Sequence, residues 1–108
     1  MIFTKENIEL IRQGKKTETR RIWKKPHVKV GKTYQCRVSR FTKTPEDSPY
    51  IKIKKICKER LKEIYGRPSD WLYEGCYSLL EFQNEWMKLH GSWNPEQEVY
   101  VIDFEVAK

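Results

Sequence analysis

The chain has 108 residues, of which 38% are apolar and 13% aromatic, with four Trp and six Tyr. That length suits one domain, residues 1–108, with a modest core, and the aromatic content excludes a disordered polyelectrolyte. Lys and Arg total 22 against 15 Asp and Glu, a formal net charge of +7, and the pI is about 9.4. Such an excess suits an anionic partner, nucleic acid foremost, although a charged surface also serves solubility alone.

Cys36, Cys57 and Cys76 are odd in number and widely spaced, with no C-x-x-C motif. A disulfide framework and a zinc site are therefore not expected. Cys36 and Cys57 sit in strand-like runs and are expected to pack as small apolar groups, as reduced thiols in a cytoplasmic protein do. His27 and His90 lie far apart, with no carboxylate at ligand spacing, so neither a metal nor another cofactor is expected. No long apolar run opens the chain, and neither a signal peptide nor a membrane span is expected.

In chain order, Thr4 caps a short helix running to Gln13, with Ile8 and Ile11 inward and Gly14 as its stop. Residues Thr17 to Trp23 favour a strand, and Lys24 to Lys32 form a turn-rich connection containing Pro26 and Gly31. Thr33 to Phe41 alternates, with Tyr34, Cys36 and Val38 on one face, and a polar loop follows from Thr42 to Pro49. Tyr50 to Glu59 reads as a strand with Ile51 and Ile53 inward. The Lys54-Lys55 pair breaks its alternation before Ile56, as a bulge does.

A helical turn is expected from Ser69, after Pro68, towards Glu74. The clearest helix is Leu79 to His90, opened by the Ser78-x-x-Glu81 capping pattern and closed by Gly91, with Leu79, Phe82, Trp86 and Leu89 as its apolar stripe. Val99 to Val106 is the clearest strand. Strands outnumber helices and no regular crossover helices separate them, which argues against a doubly wound sheet. The fold class is α+β: a small mixed or antiparallel barrel with helices packed at its side and mouth.

The segment Gly14-Lys15-Lys16-Thr17-Glu18-Thr19-Arg20-Arg21 is the most specific feature. On an extended strand Thr17, Thr19 and Arg21 share one face, and Lys16, Glu18 and Arg20 the other. A strand without an apolar residue is either a solvated edge, a common guard against aggregation, or the polar lining of a cleft.

Gly14, Lys16 and Arg21 fit the G-x-K-x-x-x-x-R signature of ASCH domains, which this chain resembles. The Gly31-Lys32-Thr33-Tyr34 turn, the Glu74-Gly75 pair, the run from Ser78 to Trp93 and the last strand from Val101 to Glu105 also resemble that family in order and spacing. The resemblance implies a PUA-like β-barrel, with a cleft between barrel and helices lined by the signature residues. It implies RNA or a modified nucleoside as partner, and a branch that hydrolyses N4-acetylcytidine. Carried over by motif, the catalytic residues are Lys16, Thr19 and Glu74, with Gly14 and Arg21 from the signature. The chain departs from that branch at Arg20, where an apolar residue is usual, and at Ile22 and Trp23.

Amide hydrolysis needs a nucleophile, a base and a partner for the developing oxyanion. The Thr19 hydroxyl suits the nucleophile and the Lys16 amine the base, burial and the neighbouring cations Arg20 and Arg21 lowering the lysine pKa as that role requires, with Glu74 as a proton carrier or substrate anchor. Trp23 and Trp71 are the candidate stacking residues for a base, alongside Arg20 and Arg21 for phosphate, while Trp86 belongs to the helix stripe. Two basic stretches, one from Lys24 to Lys32 and one from Lys52 to Lys62, suit phosphate contacts or a solvated face. The alternatives are an amidohydrolase acting on an N4-acylated cytidine and a non-catalytic RNA-binding module, with a ribonuclease ranked below both. A monomer is assumed.

Overall fold

The computed structural model describes residues 1–39, 41 and 43–107. Helix α1 spans Lys5–Arg12, and the Thr4 side chain accepts a hydrogen bond from the Asn7 amide. Strands β1 (Glu18–Arg21) and β2 (Thr33–Gln35) follow, then the long strand β3 (Tyr50–Arg60). A 3-10 helix (Leu61–Gly66) leads to α2 (Pro68–Tyr73), α3 (Leu79–His90) and strand β4 (Glu98–Ala107). Ser78 accepts from the Glu81 amide, and Gly91, in the left-handed region at φ 83°, ends α3.

All three strand pairings are antiparallel, in the order β1-β4-β3-β2. The sheet curls into half a barrel with helices against it, the architecture expected from the pattern. Its register explains the rest of the fold, because residues opposite each other on adjacent strands share a face. Thr19 stands opposite Ile102, which stands opposite Ile56; Arg20 stands opposite Val101, which stands opposite Cys57.

One face therefore carries Ile102, Phe104, Ile51 and Ile53 against α1, Phe3, Val28 and Cys36, and forms the first core. The other carries Val99 and Val101 against Leu61, Ile64, Cys76, Phe82 and Trp86, and forms the second. Both cores depend on one irregularity, the shift in β3 pairing between Ile53 and Lys55. The extra residue keeps Ile51, Ile53 and Ile56 on the α1 face while releasing Cys57 and Glu59 to the other.

Two expectations change. β2 ends at Gln35: Cys36 stays buried, but Val38 is exposed, because Arg37 pairs with Ile2 in an isolated parallel bridge instead of continuing along β3. Leu89 is 63% exposed; the buried face of α3 is carried by Phe82 and Trp86, with Trp93 completing the aromatic cluster. The segment after β3, for which the pattern gave no element, coils into the 3-10 helix and buries Leu61 and Ile64, three residues apart on one side. The expected loop from Thr42 begins on a residue outside those described. Among the described residues no helix is long and apolar enough to cross a membrane.

Ile102 is fully buried at the centre of the first core. Ile102→Ala should cost about 2–5 kcal/mol through lost burial and the cavity left behind, read as a lowered thermal unfolding midpoint. An equal midpoint would mean that the sheet is not packed on α1 as described.

Candidate functional site

Helix α1 delivers the polar strand to its place. Past Gln13 the chain turns at Gly14, whose φ of 75° lies in the left-handed region. The Lys15 and Lys16 amides then both donate to the Leu10 carbonyl, at 2.9 and 3.2 Å. One residue on, the Thr17 amide donates to the Tyr73 carbonyl at 2.7 Å, fastening the strand to the end of α2.

The strand lies at the sheet edge but is not solvated, so the reading as a charged, water-facing edge does not hold. Lys16, Glu18, Thr19 and Arg20 are only 4–5% exposed. Its Lys16, Glu18 and Arg20 face lies under α2. That short helix carries Asp70 and is capped at its end by Glu74, four residues on and therefore on the same side. Two carboxylates so placed repel unless a cation stands between them, and Arg20 is that cation.

The Arg20 Nη1 donates to Glu18 Oε1 and, at 3.0 Å, to Glu74 Oε2. The Nη2 donates to Asp70 Oδ2 at 2.9 Å and to Glu59 Oε1 at 3.0 Å. Among the described residues the Arg20 Nε is the one buried side-chain nitrogen or oxygen without a partner. The Lys16 Nζ donates to Glu74 Oε1 at 2.8 Å and to the Glu74 carbonyl at 2.9 Å, so one ammonium closes both the carboxylate and the backbone end of α2. From outside, Arg67 Nη2 donates to Glu59 Oε2 at 2.7 Å. Side chains thereby join β1, β3 and the end of α2, alongside the backbone bond from Thr17 to Tyr73.

The electrostatics follow from this crowding. Burial works to lower the Arg20 pKa, but the carboxylates of Glu74 and Glu18 outweigh it and hold the guanidinium above its ordinary value. The Glu18 carboxyl is pushed from 4.5 up to about 8. Burial is the main cause; the Arg20 charge pulls the other way, and Glu74, Asp70 and a hydrogen bond with Asp103 add to the rise. Burial likewise raises the Cys76 thiol to about 12, with the Glu74 charge adding to it, leaving no reactive thiolate beside the pair.

The residues expected at the site divide between the two faces of β1. Lys16, Glu74 and Arg20 meet under α2, with Glu18, Glu59 and Asp70 added. Thr19 and Arg21 lie on the opposite face. There the Arg21 Nε donates to Thr19 Oγ1 at 3.3 Å, and Nη2 donates to the Ile2 carbonyl at 2.8 Å, with the guanidinium 4.7 Å over the Phe3 ring. Burial lowers the Arg21 pKa, against the opposing pull of Glu74 and Cys36. Trp23 packs on the first core and stacks on His27, with ring centroids 4.5 Å apart. Trp71 packs on the second core.

Glu18, Glu59 and Asp70 were not singled out in the sequence, although the Asp70-x-x-x-Glu74 spacing and the alternation of Glu18 with Arg20 were both visible. Among the described residues no cluster of His, Cys, Asp or Glu is arranged to hold a metal ion.

The two basic stretches differ in part: among the described residues Lys52 and Lys55 make no ion pair, while four other cations of the second stretch do. Along and after β3, Lys54 pairs with Glu105, Lys58 with Glu98, and Arg60 and Lys62 with Glu96. Among the described residues the exposed Lys24, Lys25, Lys29 and Lys32 make no ion pair. Two hollows lie apart from Lys16: an open groove of about 520 Å³ bordered by Lys58, Glu59 and Arg67, and a smaller one of about 100 Å³ bordered by Ile22, Trp86 and His90.

No family model and no curated protein matches this sequence. Four solved chains match its fold. The ASCH domain from Lactobacillus crispatus JV V101 superposes with a TM-score of 0.72 at 16% identity, covering 94% of this chain and 70% of that one. A point mutant of ZmASCH from Zymomonas mobilis gives 0.63 at 15% identity, over 97% of this chain and 66% of that one. The hypothetical protein PH0355 gives 0.68 at 19% identity, over 97% and 94%. The fold is the PUA-like fold of ASCH domains.

Two predictions follow from the geometry. The folded protein holds the Glu18 proton more tightly than the unfolded chain does, so between pH 4.5 and about 8 the unfolded chain ionises first. The contribution of Glu18 to stability therefore falls as pH rises through that window and then levels off. Urea midpoints of the wild type and Glu18→Gln, compared from pH 5 to 8, should shift progressively in favour of the variant; a constant difference would place the titration elsewhere.

Gly75 has φ 92°, and a Cβ there would meet Leu10 Cδ1 at 2.9 Å and Lys16 Cβ at 3.4 Å. Gly75→Ala should cost at least about 1–2 kcal/mol in backbone strain, seen as a lower thermal midpoint. Wild-type stability would show that α2 can turn away from the strand without that conformation.

Proposed function

We propose that this ASCH-fold chain holds a nucleoside, free or within RNA, beside its glycine-led strand and hydrolyses an N4-acyl group from cytidine there. The observation that supports this is the buried pair of the Lys16 amine and the Glu74 carboxylate, 2.8 Å apart, with a threonine three residues after Lys16 on the other face of its strand. Hydrolysis of the amide must take a proton from the attacking oxygen, deliver one to N4 as the C–N bond breaks, and return the pair to its starting state. A proton moving between Lys16 Nζ and Glu74 Oε1 leaves a neutral amine able to accept the first and, once protonated, to donate the second. In this reading the Thr19 hydroxyl is the attacking oxygen, water then releases the acyl group as the acid, and Arg21 supports the charge on the carbonyl oxygen.

The second reading, a non-catalytic RNA-binding module, is favoured by a different observation. Arg20 binds Glu74 Oε2 and stabilises the anion, which opposes proton transfer from Lys16. Thr19 occupies the other face, engaged by Arg21. In this reading the unpaired lysines of residues 24–32 make the phosphate contacts and the buried pair is a brace.

Incubation with N4-acetylcytidine separates the two readings. Hydrolysis predicts cytidine and acetate in equal amounts, with kcat reduced about 10²–10⁴-fold in Lys16→Met and Glu74→Gln. No release by the wild type, or undiminished release by the variants, removes it. The binding reading predicts affinity for single-stranded or structured RNA that falls linearly in log–log form with salt; affinity insensitive to salt would exclude it.

A further inference from the structure

Arg20 stands where the resembled hydrolases carry an apolar residue, and its surroundings are not those of a ligand contact. Its side chain is 1% exposed. Both terminal nitrogens are occupied by carboxylates: Glu18 and Glu74 on one, Asp70 and Glu59 on the other. A phosphate or base arriving at β1 would find no donor of Arg20 free at the surface, since the one without a partner, Nε, is itself buried.

We propose that Arg20 is a positioning residue that acts through Glu74 and never touches the ligand. A carboxylate with one bound oxygen can still rotate about its last bond. Here Oε2 is held by Arg20 at 3.0 Å and Oε1 by Lys16 at 2.8 Å, which fixes the plane of the group and the direction from which Lys16 meets it.

The same planar fork grips Asp70 in the first turn of α2, so the helix that carries Glu74 cannot slide along the strand without breaking a bond to Arg20. Glu59 extends the clamp to β3, and Arg67 supports Glu59 from the rim of the open groove. Lysine cannot reproduce this, because a compact ammonium lacks the rigid fork that serves four carboxylates at once. The inference rests on Lys16 and Glu74 being the reactive pair, but the clamp can also be tested without catalysis.

The test uses Arg20→Lys, Arg20→Met and Glu59→Gln, the last altering the clamp from its rim should the Met variant not fold. With N4-acetylcytidine, Arg20→Lys should lower kcat by about tenfold or more while KM, and the calorimetric Kd for cytidine, stay within about twofold. Glu59→Gln should give a smaller loss of kcat of the same kind. A raised KM or Kd with kcat retained would make Arg20 a ligand contact and overturn the proposal; so would unchanged kinetics in Arg20→Lys.

If the wild type releases no acetate, the hydrolase reading fails by itself and the clamp is judged by unfolding constants. The effects of Arg20→Lys and Lys16→Met should then combine non-additively by about fivefold or more, because both act on Glu74. Additive effects would show that the two cations do not communicate through that carboxylate.

Discussion

A guanidinium that is 1% exposed must be neutralised where it stands, and much of this fold can be read as the answer to that demand. An unpaired buried charge costs several kcal/mol or more, so the chain brings carboxylates to Arg20 from three elements. Glu18 comes from its own strand, Glu59 from the end of β3, and Asp70 and Glu74 from α2. The excess of negative charge this creates is met in turn by Lys16 and Arg67 and by the proton that Glu18 retains to about pH 8. Removing one member leaves the others uncompensated, which makes the cluster a specific joint rather than a source of net stability.

The joint is possible because the sheet is packed on both faces. A sheet with one solvated face would let β1 present its charges to water at little cost. Here α2, α3 and the 3-10 helix lie over the Val101 face while α1 lies over the Ile102 face, and a polar strand caught between them has to satisfy its side chains internally. The bulge between Ile53 and Lys55 brings Glu59 to the same side as Arg20. A feature of β3 pairing thus decides the composition of a cluster on a strand two places away in the sheet.

The elements with local signals were legible in the sequence. Thr4 and Ser78 as caps, Gly14 and Gly91 as stops, the Lys54-Lys55 break and the alternation of β4 all depend on residues within a few positions of one another. Lys16 and Glu74 were named together through a family resemblance, since 58 residues separate them and no periodicity links them. The burial of the polar strand was not legible. Alternating charges on an edge strand look the same whether water or a helix lies over them, and the Asp70 to Glu74 spacing acquires meaning only once α2 is known to lie on β1. Leu89 and Val38 failed for the complementary reason: an apolar residue in phase with its neighbours still needs something to pack against, and those two positions stay largely open to solvent.

The unequal treatment of the two basic stretches gives the molecule an electrical orientation. Lys54, Lys58, Arg60 and Lys62 are answered by Glu96, Glu98 and Glu105 at close range, so their fields largely cancel a short distance away. Among the described residues Lys24, Lys25, Lys29 and Lys32, like Lys52 and Lys55 on β3, make no ion pair, and their field reaches outward over about a Debye length, roughly 8 Å at physiological salt. A polyanion drifting nearby would feel these uncancelled charges more strongly than the paired ones, and the connection between β1 and β2 carries four of them.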